Sequence, residues 1–199
     1  AEILRLLFAS VDYTADTRFS KNLLTPLLEA YRKIRNTCRF LLGNLADFDP
    51  QADRVEYARL PEIDRLILHR LQGLIARVRR GYERFEFHAV YHGLHNFCVV
   101  DMSAFYLDVL KDRLYTSPAA SVARRAAQTV LYEVLQGLVR LMAPVLSFTA
   151  EEAWGYLPGA KEASVHLAAM PEAREDYLDS ALAERWERLL EGRAEVLKP

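Results

Sequence analysis

Apolar residues recur at steps of three and four along nearly the whole chain, the spacing of helices that turn one face inward. The stretch AEILRLLFAS opens in this pattern. After Ser20, a plausible N-cap, Leu24, Leu27, Leu28, Tyr31, Ile34, Cys38, Leu41, Leu42 and Leu45 form one stripe. It predicts a helix over 21–45, about 37 Å long. Pro26 falls in its second turn and should kink or delay the start. A loop, DFDPQADRVEYARL, follows. Pro61 opens a second helix with Ile63, Ile67, Leu71, Leu74 and Val78 inward, broken near Gly81. FHAVYHGLHNFCVVDMSAFYLDVLKDRLY reads as a third. Ser117 and Pro118 pair an N-cap with proline at the first helical position and start a fourth. It runs to about Met142, and Pro144 stops it. Thr149 and Glu152 have capping-box spacing and start a short fifth helix through Trp154. SVHLAAMP (164–171) reads as an extended crossing segment, and 180–197 as a final amphipathic helix. There is no repeat and no convincing sheet. The fold class is all-α, a helical bundle.

Composition narrows this little. At 199 residues and 51% hydrophobic, the chain can fill one domain with a substantial core. No signal peptide or apolar run long enough to cross a bilayer is visible. The net charge of −1 does not announce a nucleic acid, but its distribution is uneven. Through Pro144 there are 20 Lys and Arg against 16 Asp and Glu; from Val145 onward, 6 against 11. That suggests a polyanion surface on the bundle and a solvated tail. Cys38 and Cys98 sit inside apolar patterns, as reduced core thiols do. The chain has no initiator Met, opens already inside a helical pattern and closes on EGRAEVLKP, still helical in character. It reads as a piece of something larger.

Candidate chemistry concentrates in YRKIRNTCRFLLGNL, residues 31–45. On a helix, Arg32, Arg35, Asn36 and Arg39 fall within about 140° of Tyr31, one ribbon beside the core stripe. No acid occurs in this stretch. Clustered guanidiniums without acids at i±3 or i±4 repel one another unless phosphates or carboxylates arrive. Arg and Asn also hydrogen-bond base edges. A solvated face remains the plain alternative. The second helix carries Arg65, Arg70, Arg77, Arg79, Arg80 and Arg84, which suit either a polar face or a phosphate backbone. His88, His92 and His95 share one helix face at i, i+4 and i+7, but no carboxylate or thiol supports them, so no metal is expected. No nucleophile motif or glycine-rich phosphate loop occurs, and no catalytic residue is assigned.

Three strings in order, YRKIRNTCRFLLGNL, FYLDVLKDRLYT (105–116) and LMAPVLSFTAEEAWGYLP (141–158), resemble the anticodon-binding domain of the isoleucyl-tRNA synthetases, class I aminoacyl-tRNA synthetases. AEILRLLFASVDYTADTRFS is similar to the segment that family places just after its KMSKS loop. The resemblance divides the chain into a junction over 1–19, an anticodon-binding helical bundle over 20–171, and a linker with a helix over 172–199 leading to a further module. It implies a longer, cytoplasmic, monomeric enzyme that ligates isoleucine to its tRNA. That parent would use ATP with magnesium, and zinc in a C-terminal module. The family's HIGH and KMSKS motifs, editing domain and cysteine-rich zinc module do not occur in this chain, so it should bind tRNA without catalysing and carry no cofactor itself. Expected partners are the anticodon stem-loop of an isoleucine tRNA and the catalytic and C-terminal domains of the parent; no membrane is implied. Carried over by position, Arg35, Asn36 and Arg39 on one side and Lys111, Arg113 and Tyr115 on the other flank the anticodon. Arg32, Arg77, Arg79 and Arg80 hold the tRNA backbone. Leu41, Leu42, Phe105, Leu141 and Trp154 are scaffold. The competing reading is a bundle whose basic face docks another protein or domain, which salt dependence would separate from phosphate binding.

Overall fold

A computed structural model of the chain describes residues 1–13, 21–159 and 161–196. Among them the regular elements are all helical: α1 (Glu2–Ser10), α2 (Lys21–Gly43), α3 (Glu62–Glu83), α4 (Phe87–Asn96), a π-helical stretch (Phe97–Tyr106), α5 (Leu107–Thr116), α6 (Val122–Met142), α7 (Ser147–Tyr156) and α8 (Ser180–Val196). The all-α expectation holds. α6 is the central element, with Val130, Leu131, Val134, Leu135, Leu138 and Leu141 fully buried. α2, α3, α5 and α7 pack around it, α1 lies on α2 and α4, and α8 lies on α3.

The stripe on α2 buries Leu27, Ile34, Cys38, Leu41 and, just past its end, Leu45. Pro26 lies inside the helix, in its second turn, and does not delay its start; having no N–H, it leaves the Asn22 carbonyl without its usual i+4 donor. Ser20, the expected cap, lies outside the described residues. α3 ends at Glu83, close to the break expected near Gly81, though the glycine itself lies inside the last turn. A Cβ there would stand 2.8 Å from Val90 Cγ2 and 3.3 Å from the Glu86 carbonyl, so the glycine permits α4 to fold back closely. The chain reverses four residues later at Phe85, with φ 59°.

The expected third helix is helical from 87 to 116, but its middle ten residues are wound as a π-helix. Phe97, Cys98, Met102 and Tyr106 point inward there at steps of one, four and four, and Ser103 Oγ donates to the Cys98 carbonyl at 2.8 Å. The cap of α6 is Ser121, whose Oγ accepts from Arg124 N at 3.3 Å, rather than Ser117. Pro118 instead opens a turn closed by Ser121 N at 2.9 Å from its carbonyl. α7 likewise starts two residues before the expected Thr149. No local capping box forms: Glu2 of α1 takes the Thr149 N–H at 2.9 Å and its hydroxyl at 2.5 Å. The crossing segment contains one 3₁₀ turn, Val165–Leu167, pinned where Glu151 accepts from Ser164 Oγ and Val165 N. Of the scaffold residues, Leu41, Leu141 and Trp154 are buried, while Leu42 and Phe105 are half-buried against the core.

The loop after α2 is fastened to α6 by Asp47. Its carboxylate accepts from Arg124 at 2.6 and 2.9 Å and from Gln128 at 2.9 Å. The Arg124 hydrogen bond, more than any other contact, holds this carboxyl well below the usual range. A lowered native pKa means the stabilisation is full above the unfolded value of about 4 and fades as pH falls through the native one. Asp47→Asn should therefore cost about 1 kcal/mol at pH 7, kept small because the side chain is 45% exposed. The gap to the parent in urea unfolding should close as pH drops below about 4.

Candidate nucleic-acid interface

α2 and α7 run side by side, leaving an open seam. On the α2 wall Arg32, Arg35, Asn36 and Arg39 all face solvent, as the ribbon requires. On the α7 wall Phe148 is 69% and Tyr156 74% exposed, with Glu152 between them. Two depressions follow the seam. One, of about 400 Å³, is lined by Glu2, Tyr31, Arg32, Asn36 and Phe148. The other, of about 690 Å³, is lined by Cys38, Arg39, Leu42, Gly43, Ala46 and Tyr156. Arg35, Thr149 and Glu152 border both. Tyr31 OH and Thr149 Oγ1, 3.0 Å apart, tie the walls beneath.

The ribbon is not without acids. Glu29, just before the stretch and at i−3, pairs with Arg32 at 2.6 Å. Across the seam Arg35 Nη2 reaches Glu152 Oε1 at 3.2 Å and Oε2 at 3.3 Å. That hydrogen bond raises the Arg35 guanidinium above its ordinary value. The stretch 31–45 itself holds no acid, but the expectation that none stands at i±3 fails at Glu29 on the same helix, and the second acid comes from α7, more than a hundred residues away.

The other expected contacts scatter. Lys111 is exposed and pairs with Asp108 at 2.8 Å, and Tyr115 is 63% exposed, both on α5, which packs on α6. Arg113 is not a free reader. Its Nη1 donates to Asp64 Oδ2 at 2.9 Å, its Nη2 bonds Oδ1, and Tyr106 OH donates to Oδ1 at 2.8 Å. Asp64 is fully buried, so the guanidinium is committed to holding α5 on α3. Arg79 is similarly engaged, donating to the Met170 and Pro171 carbonyls at 3.3 and 3.1 Å. Arg77 and Arg80 are exposed on α3, where Arg77 borders the groove between α3 and the π-helical stretch. The structure thus gathers Arg32, Arg35, Asn36 and Arg39 in one seam and leaves Lys111, Tyr115, Arg77 and Arg80 on other elements. Sequence reasoning missed Phe148, Glu152 and Tyr156. Their i, i+4, i+8 spacing on α7 was the available signal.

His88 and His92 are exposed, and His92 lies edge-on to Tyr91 at 4.9 Å. Among the described residues no group of three or more His, Cys, Asp or Glu could hold a metal. Both cysteines are free and buried, and burial pushes the Cys38 thiol up to about 12. No described helix is long and apolar enough to cross a membrane.

Residues 64–198 match the model of the anticodon-binding domain of tRNA ligases. The chain belongs to that family. It is 56% identical over its whole length to isoleucine–tRNA ligases of Desulforamulus reducens and Moorella thermoacetica, and spans 22% of the length of each. A solved structure of agnB2 LeuRS from Agrobacterium radiobacter K84, in a ternary LeuRS-tRNA-LeuAMS complex, shares the fold over 89% of this chain and 20% of its own. The TM-score is 0.63 at 20% identity. The anticodon-binding domain therefore presents its basic ribbon and two exposed aromatic rings across one seam.

Proposed function

We propose that the seam between α2 and α7 receives the anticodon loop of an isoleucine tRNA, within a longer isoleucine–tRNA ligase. The carrying observation is the pairing of Arg32, Arg35, Asn36 and Arg39 on one wall with exposed Phe148 and Tyr156 on the other. Unstacked bases are bound by aromatic faces and by donors aimed at their edges, and the phosphates between them by arginine. Arg35, Asn36 and Arg39 meet base edges, Phe148 and Tyr156 stack bases, and Arg32, Arg77 and Arg80 take backbone phosphates. Lys111 and Tyr115 form a second contact on α5. Arg113 and Arg79 act through the elements they fasten. The strong likeness to isoleucine–tRNA ligases supports isoleucine as the amino acid served. Ligation, with ATP and magnesium, belongs to other parts of the parent, acting in the cytoplasm.

The test is binding of an isoleucine anticodon stem-loop. Tyr156→Ala and Phe148→Ala should each weaken it by about 1 kcal/mol while circular dichroism stays unchanged. If both variants bind as the parent does, the loop does not sit in the seam.

A further inference from the structure

The acids of the seam have a consequence for what it can bind. Three arginines along one ribbon would by themselves attract any phosphate backbone, with no regard to sequence. Glu152 stands opposite the middle one, its two oxygens 3.2 and 3.3 Å from Arg35 Nη2, and borders both depressions. A phosphate that approached Arg35 from either depression would come up against this carboxylate. Glu2 adds a second negative charge to the smaller depression, with its oxygens already taken by Thr149. A base edge meets no such penalty. It is neutral and offers an acceptor to a guanidinium beside a donor to a carboxylate.

Building on the anticodon reading of this seam, we propose that Glu152 is a phosphate filter: it makes the groove refuse a backbone phosphate at Arg35 and admit a neutral base edge. Glu152 is then a specificity-determining residue whose main effect is on the wrong ligands. Rejecting them needs a repulsive element as well as attractive contacts to the right one.

The experiment compares the chain with its Glu152→Gln and Glu152→Ala variants against three probes: the isoleucine anticodon stem-loop, the same stem-loop with a mismatched anticodon, and inorganic polyphosphate. Both variants should bind polyphosphate at least about threefold more tightly, with a salt dependence steeper by about one unit as Arg35 gains a phosphate contact. The mismatched loop should gain and the matched loop should not, so the ratio between them falls. Unchanged or weaker polyphosphate binding by both variants overturns the filter. So does loss of affinity for all three probes with a lowered melting temperature, which would make the Arg35–Glu152 pair only a strut. The polyphosphate arm does not depend on the anticodon reading. If polyphosphate binding tightens while the parent chain never distinguishes the two loops, the filter stands and the anticodon reading falls. If the parent distinguishes them and polyphosphate binding does not tighten, the reverse holds.

Discussion

Asp64→Ala is expected to cost the bundle about 3–5 kcal/mol, the usual penalty for removing one partner of a buried ion pair. The carboxylate is fully buried in the first turn of α3. It is the acceptor for both terminal nitrogens of Arg113 and for the Tyr106 hydroxyl. Alanine would leave the Arg113 guanidinium, only 19% exposed, without a counter-charge, and the phenol without an acceptor. For a domain with a total stability of about 5–15 kcal/mol, that is a large share. Urea unfolding should show a lowered midpoint with an unchanged slope. Asp64→Leu combined with Arg113→Met and Tyr106→Phe should recover most of the loss, because neither a charge nor a buried donor is then left stranded. A cost below about 1 kcal/mol for Asp64→Ala would mean that the pair is not the fastening between α3 and α5. The same geometry makes Arg113→Ala a stability variant, and it should weaken matched and mismatched stem-loops alike.

Arg35→Ala should weaken the matched stem-loop about tenfold or more, and a mismatched one much less. Arg35 projects from the middle of α2 into the seam and is half-exposed, so no core contact is lost with it. Alanine is also the better helix former, so α2 should persist. Arg80→Ala is the contrasting case: an exposed α3 side chain assigned to the backbone should weaken both loops equally and flatten the salt slope by about one unit. Equal losses for both loops in Arg35→Ala would move that residue into the phosphate class.

Local pattern carried much of the fold. Leu27, Ile34, Cys38, Leu41 and Leu45 along α2, and Ile67, Leu71, Leu74 and Val78 along α3, are buried as their spacing requires; Leu24, Tyr31, Leu42 and Ile63 are half-buried and Leu28 is exposed, at the margins of the same faces. Helix starts were less legible where the partner is distant. Nothing near Thr149 signals that Glu2 caps α7, and Ser117 and Pro118 offered a start signal as good as that of Ser121. The π-helical stretch escaped because Phe97, Cys98, Met102 and Tyr106 also fit an α-helical face. At the site, the ribbon was visible since its residues share one helix. The fates of its arginines were not. Arg35 meets Glu152 from α7, and Arg113, of the same residue type at an equally plausible position, is consumed by Asp64. Periodicity reports which face a side chain takes and is silent about which element arrives opposite it.

The proposed reading of an isoleucine anticodon by the α2–α7 seam is tested by titrating the chain with the isoleucine anticodon stem-loop and with one altered only in the anticodon, each at two salt concentrations. The expected result is tighter binding of the matched loop at both, with affinities for the two loops falling together as salt rises and their ratio kept. Equal affinities at both salt concentrations would contradict it.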